Sequence, residues 1–546
     1  MSSVLSKMLS LSYLLCAPLS VAISQSVHAA EVPAGVKLSS KQILNRGNGA
    51  EVPTLDPQKV EDVPGYSVAS DIYESLVRDD INGKIVPSGA THWSVSKDGL
   101  TYTFHLRKNA KWSNGQNVTA HDYVYGLQRL VDPKTASTYA FIASDILNAD
   151  LVNQGKQPVT SLGVNALDNY TLQVKLNKPT PYILETLAMR NAAPANKQAI
   201  EKFGDKSYQP GNIVTNGPYL VKSWKVGDKI TLLKNPNYWD AAKTVIEEVN
   251  YYPTQNLNSE EQMYQAGQLD MTYEIAMDQF EKLKNKLGSE VRSNPYLSSY
   301  FFSINMQKEP FKDNPKLRQA LSMVIDRDII TKQVTRRGEI SSYDIVAYGA
   351  KNYRPFKYDW ADKKYEEKVN KAKKLYEEAG YSTSKPLNVT ILYNTNENSK
   401  KLVLTIASMW KKALGVNVLV ENQEWKVFLK SRQQGEYQIA WDRWIADYND
   451  VNSFSDLMRS DSAMNNAKYK NTKFDELLMK ASTELNLKKR QKILEQANAL
   501  ALNDYPIIPL YSAVTTHLVK EYVGGYTGKN PLDHTNSFDL YIVDHK

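Results

Sequence analysis

Residues 436–450 read Glu-Tyr-Gln-Ile-Ala-Trp-Asp-Arg-Trp-Ile-Ala-Asp-Tyr-Asn-Asp, and here the sequence gathers the means of holding a charged ligand. Gln438, Ala440, Asp442 and Trp444 alternate with Tyr437, Ile439, Trp441 and Arg443, which predicts a strand whose exit into a loop carries Asp447. A carboxylate at such a strand end can pair a ligand's cation. It can equally cap its own turn, with Trp441 and Trp444 as core aromatics. Support for catalysis is thinner. Glu260-Glu261, Glu377-Glu378, or Asp442 with Asp447 could be read as the acid and base of an exported glycoside-processing enzyme, but the first two pairs read better as solvated helix faces. The seven histidines are dispersed without His-x-x-x-His spacing, and neither a Walker A loop nor a Gly-x-Ser-x-Gly elbow is present, so no metal and no cofactor is expected.

A chain of 546 residues is too long for one core and implies two or three domains, and its composition, 42% hydrophobic and 23% charged, is that of a globular protein. Residues 1–29 read as a cleaved export signal: Lys7, an apolar run over 8–23, then Val27-His28-Ala29. That places the mature chain, from Ala30, in the periplasm. The run is shorter than the ~20 residues needed to span a bilayer and is broken by Ser10, Ser12, Pro18 and Ser20. Removing it takes away Lys7 alone and turns a net charge of +8 into +7. Lysines alternate with glutamates, as in 363–368, so no nucleic-acid partner is implied. Cys16, the one cysteine, falls within the signal, which leaves the mature chain without a thiol. Tyrosine is abundant, 34 against 12 phenylalanines, which suits either a groove that packs varied side chains or an ordinary core.

Positioning elements follow from periodicity and turn chemistry. Residues 69–77 read as a helix, and 92–107 as a hairpin on the turn Lys97-Asp98-Gly99. Thr119 caps a helix over 123–131. Strands over 219–226 and 229–233, helices over 260–266, 316–323, 365–379 and 402–414, and strands over 387–392 and 416–420 alternate in the manner of α/β lobes. Residues 507–511 begin a return of the chain to the first lobe.

The run 69–129, with its aromatic hairpin and Leu106-Arg107-Lys108-Asn109-Ala110-Lys111-Trp112-Ser113-Asn114-Gly115, resembles a bacterial family of extracellular solute-binding proteins. Those proteins capture dipeptides, oligopeptides and nickel complexes for ABC importers. Val131-Asp132-Pro133-Lys134 extends that family match, and Pro210-Gly211-Asn212, Asn422-Gln423-Glu424-Trp425 and Gly524-Gly525-Tyr526 are similar to the oligopeptide branch. The resemblance implies an α/β, class II periplasmic-binding-protein-like fold of two lobes with a hinge and an extra domain inserted in the first lobe. It further implies domain I over 30–74, 199–297 and 515–546, domain II over 75–198 and domain III over 298–514.

The same resemblance implies a monomeric receptor, not an enzyme, that encloses a short peptide and delivers it to the permease subunits of an inner-membrane ABC importer. A receptor of the same fold for a non-peptide solute is the alternative. Asp447 would pair the ligand's amine. The backbone around Trp441 to Trp444 and the segment from Glu61 to Val63 would pair the ligand's amides as added strands. Tyr139, Trp425 and Arg432 match pocket residues. Departures fall at the carboxylate end: Trp441 stands where the branch usually carries an arginine, Arg443 where it carries a glycine, and Ser399 where it carries a histidine. Arg443 is therefore expected to point into the pocket.

Overall fold

The computed structural model describes residues 30–423, 425–462 and 464–545; the export-signal reading of residues 1–29 lies outside them. Three larger sheets, each with its own buried core, carry the chain. The first has the strand order Ile43–Gly47, Glu248–Tyr252, Lys229–Lys234, Tyr219–Lys225, with Ile43–Gly47 parallel to Glu248–Tyr252 and the rest antiparallel. Leu44, Leu232, Val249 and Tyr251 pack beneath it with Phe538 and Ile542 from the end of the chain. The second sheet runs Ala90–Val95, Thr101–Leu106, Thr171–Lys175, Val164–Asp168. It covers the helix Ala120–Val131 over a core of Phe104, Trp112, Leu127 and Val174. Gly99 sits at φ +71° in the hairpin between its first two strands, where a left-handed residue is required.

The third sheet holds the predicted centre. Its order is Ile340–Ser341, Ile507–Leu518, Val291–Ile304, Ile439–Ile445, Asn388–Asn394, Asn417–Gln423. Ile439–Ile445 lies antiparallel to Val291–Ile304, from Ser298 opposite Ile445 to Ile304 opposite Ile439, and parallel to Asn388–Asn394. Parallel neighbours buried on both faces need apolar residues, which explains Ile391, Ile439 and Trp441 in the core with Phe302 and Trp410. Val291–Ile304 and Ile507–Leu518 are long enough to run out of this core, and Leu518 ends in a separate cluster with Tyr264 and Leu269.

The helix expected over 69–77 is displaced. It spans Val63–Ile72, and Val77–Asp79 is a short strand. Asp62 caps it by accepting from the Gly65 N–H at 2.6 Å, and Pro64 falls in the first turn, where its missing N–H costs nothing. Val63 thus opens a helix and does not lie in an extended strand, which corrects the expectation of an added strand at that residue.

Phe302 is fully buried and meets Trp441 edge-on at 5.6 Å and Trp410 at 5.7 Å. Phe302→Ala should lower stability by about 3–5 kcal/mol. A urea titration followed by circular dichroism checks this, and a midpoint equal to wild type would show that the wall behind the site strand tolerates the cavity.

Candidate functional site

Charged residues of the centre fall into two groups, those paired within the protein and those that are not. Asp450 accepts from both Nη atoms of Arg490 at 2.7 Å, a bidentate pair that ties the loop after the strand to the helix Leu487–Asn503. Asp442 is 4% exposed and is paired with Arg432, and Ser303 donates to it at 3.0 Å. Burial raises the Asp442 carboxyl and the Arg432 charge opposes that rise. Arg432 is thereby committed to Asp442 and stacks over Phe428 at 5.5 Å, so the expectation that it lines a ligand pocket is replaced by a supporting role under the strand.

Asp447 and Arg443 make the second group. The Asp447 carboxylate receives one hydrogen bond from the described residues, from the Tyr139 hydroxyl at 3.5 Å, and no described cation lies within ion-pair distance. Burial pushes its carboxyl up to about 6, against a weaker pull from Tyr139. An anion held out of water without a cation destabilises the folded state unless something else supplies the charge. Its backbone N–H donates to Ser453 Oγ at 3.1 Å, and the Trp444 indole donates to the same oxygen at 3.4 Å, which fixes where the loop leaves the strand. Lys351 N–H donates to Asn449 Oδ1 at 2.9 Å and steadies it further on.

Arg443 is exposed, yet protein crowds round it closely enough for burial to penalise its charge. Tyr300, Tyr296 and Glu274 outweigh that penalty and hold the guanidinium above its ordinary range. Its Nε donates to Ser298 Oγ at 3.0 Å, and its guanidinium lies 5.2 Å from the Tyr300 ring and 5.8 Å from the Tyr296 ring. Cation–π contacts hold the group in place, and among the described residues no acceptor is given to its Nη atoms.

Trp441 has the opposite fate. It is 3% exposed and packs on Phe302 and Tyr300 within the core, so its indole does not line a cleft. Ile439 to Asp442 are all buried, and exposure on this strand begins at Arg443. Trp444 is half-buried, Glu61 is exposed and accepts from Thr138 Oγ1 at 2.7 Å, and Val63 is exposed. The Trp425 side chain lies outside those described. Ser399 is buried, donating to Asn394 Oδ1 at 3.1 Å near the start of the helix Glu397–Leu414.

The structure also brings in residues that sequence reasoning did not single out. Tyr182 stacks on Tyr448 at 5.3 Å, the Arg490 guanidinium lies 5.7 Å from the Tyr182 ring, and Lys351 pairs with Glu185 at 3.0 Å. These contacts, with Tyr139 to Asp447, join residues of the second sheet's unit to the third. The tyrosine excess was the available signal, since Tyr139 meets Asp447 and Tyr296 and Tyr300 flank Arg443.

Separate sheet-and-helix lobes joined by long crossing strands are the architecture of a class II periplasmic-binding-protein fold. The chain belongs to the bacterial extracellular solute-binding proteins, family 5, whose middle region matches residues 84–466. It is 46% identical to the periplasmic oligopeptide-binding protein OppA of Salmonella typhimurium over 523 residues, covering 95% of each chain. Among solved structures it resembles OppA of Burkholderia pseudomallei, with a TM-score of 0.81, 42% identity and coverage of 93% of this chain and all of that one. It also resembles Haemophilus influenzae OppA in complex with RPPGFSPFR, with a TM-score of 0.80 at 38% identity, over 93% of this chain and 100% of that one.

The Asp447 carboxyl near 6 sets a pH dependence for any ammonium bound beside it. A nearby cation lowers that value, so binding at pH 5 must expel the proton, whereas at pH 7 the carboxylate is already charged. Affinity for a cationic ligand should be full near pH 7 and fall about fivefold to tenfold by pH 5. Calorimetry at pH 5 in buffers of different ionisation enthalpy should register release of nearly one proton. Equal affinity at both pH values, with no proton released, would show that Asp447 does not meet the ligand's charge.

Proposed function

We propose that this protein is a periplasmic receptor that encloses a short peptide between its lobes and presents it to an ABC importer, with Asp447 holding the peptide's amine. Membership of a solute-binding family makes it a transport receptor and not an enzyme. The observation that carries the peptide reading is the desolvated, cation-free carboxylate of Asp447, facing Tyr139 from the other lobe. A peptide ammonium entering there loses its water and receives a carboxylate in exchange, a charge-assisted contact that is strong because solvent is excluded. Tyr139 and Trp444 wall the amine end, and the polar edge of Ile439–Ile445 meets the peptide backbone, with the segment at Glu61 on the facing lobe.

The receptor acts as a monomer and cycles by hinge motion between a first lobe of 30–74, 199–297 and 515–546, carrying the inserted unit 75–198, and a second lobe of 298–514. Ligand contacts made only in the closed form shift the population toward it. The importer's permease subunits then read that form. The transport energy comes from the importer's ATP chemistry, which this chain does not carry out.

Asp447→Asn keeps the shape and loses the charge, so it should weaken peptide binding about 30-fold or more while leaving the ligand-free melting temperature nearly unchanged. Calorimetry with a peptide and its N-acetylated form on the wild type is the matching experiment: acetylation should cost as much as the substitution. Full affinity for the acetylated peptide would remove the assignment.

A further inference from the structure

Away from the candidate site, the outer face of the second sheet brings together two histidines that lie thirteen residues apart in the chain. His92 is on the edge strand Ala90–Val95 and stands opposite His105 of Thr101–Leu106. Tyr102, Phe104 and Leu106 take the buried face of that second strand, so His105 points outward with Thr101 and Thr103. The register slips between Ala90 and His92, which makes Thr91 the extra residue of a bulge and re-aims His92 over its neighbour. The two imidazoles are stacked, with centroids 4.4 Å apart and planes 15° from parallel. A pair made across strands leaves no His-x-x-x-His spacing in the chain.

Thr91 decides which nitrogen of His92 carries the proton. Its Oγ1 donates to the His105 carbonyl oxygen at 3.0 Å, and a carbonyl can only accept, so the single hydroxyl proton is used there. The same Oγ1 lies 2.9 Å from His92 Nδ1 and therefore accepts from an Nδ1–H. Neutral His92 is thereby held as the tautomer with its lone pair on Nε2, which is how a hydrogen bond to the other nitrogen prepares a histidine to ligate a metal. Desolvation, and after it the neighbouring His105, keeps this imidazole below its ordinary value, which favours the neutral form. The row continues across the sheet, with Thr171 opposite His105 and Asp168 opposite Thr171. Hydrogen bonds from the Tyr170 N–H and then the Thr171 hydroxyl hold the Asp168 carboxyl below its usual range, so the row ends in an anion, which favours a cation on this face.

We propose that His92 and His105 form a surface site for a late first-row divalent cation, Cu²⁺ most tightly and Ni²⁺ and Zn²⁺ less so, with water completing the coordination. Imidazole nitrogen suits all three ions, and among the described residues no third histidine or carboxylate joins the pair as a ligand. With Zn–N bonds of about 2.0–2.1 Å and a tetrahedral angle, the two nitrogens must come to about 3.3 Å of each other. Rings already stacked at 4.4 Å on an outer face reach that by rotation about their broad ring torsions. One ligand is on the edge strand and the other on its neighbour, so the ion fastens the open edge of the sheet.

The test is calorimetry of the tag-free mature protein with ZnCl₂ and, separately, CuCl₂, on the wild type and four variants. The wild type should take up one equivalent of either ion. His92→Ala and His105→Ala each leave a lone imidazole and should weaken binding about 100-fold, because the second ligand no longer acts within the same molecule. Thr91→Val releases the tautomer and should weaken binding about tenfold. His121→Ala, at an exposed histidine of the helix Ala120–Val131, should change nothing. Electron paramagnetic resonance of the Cu²⁺ form should show two equatorial nitrogens in the wild type and one in either histidine variant. Saturating Zn²⁺ should raise the melting temperature of the wild type and not that of His92→Ala, while the metal-free values of the two agree. Unchanged affinity in either histidine variant overturns the paired site. Absence of saturable binding in the wild type also overturns it and leaves the two rings as a cross-strand packing pair.

Discussion

The antiparallel pairing of Val291–Ile304 with Ile507–Leu518 is the constraint on which the rest of the molecule depends. Both strands leave the core of Phe302 and Trp410 and continue until Val291 faces Leu518 beside another cluster. A two-stranded ribbon resists stretching but bends where its register slips, and here slips fall between Pro295 and Ser299 and between Tyr300 and Phe301. The cradle of Arg443, made by Tyr296, Ser298 and Tyr300, occupies that same stretch. The setting of Arg443 and the lobe crossing therefore share one piece of backbone.

A second consequence follows for the charges. Several buried carboxylates find partners within the fold: Asp450 has Arg490, Asp442 has Arg432 and Ser303, and Asp71 has Tyr251 and the Ser537 N–H. Leaving any such group unpaired within protein costs several kcal/mol, so pairing is what stability alone would select. Asp447 has no described cation beside it, and under the proposed function the ligand's amine supplies that charge.

Closure has its own set of contacts, distinct from those two charges. The Tyr182–Tyr448 stack and the Lys351–Glu185 pair lie where the second sheet's unit meets the third. Ring stacking of this geometry adds about 0.5–1.5 kcal/mol beyond its buried area, and an exposed ion pair adds about 1 kcal/mol at most. Contacts this weak join the two units without locking them together.

Much of this was legible in the chain itself. Period-two alternation over 437–444 set the strand, Gly99 the hairpin and Thr119 a helix start, because these signals are local and carry their own geometry. The motifs around 84–137 were distinctive enough to identify the family, and Asp447 stood out as a carboxylate at a strand exit. Sequence could not tell which charged residues of the centre were already paired. Arg432 and Arg443 look alike in the chain, yet tertiary packing sets Arg432 on Asp442 and leaves Arg443 between two tyrosines contributed by a strand some 140 residues earlier. Trp441, expected at the ligand, went to the core because the strand is covered on that face by Phe302. Local pattern marked most of the elements; which face of the site strand is buried and which charges are paired were decided by long-range packing, since a charge is neutralised by whatever the fold brings beside it and not by its neighbours in sequence.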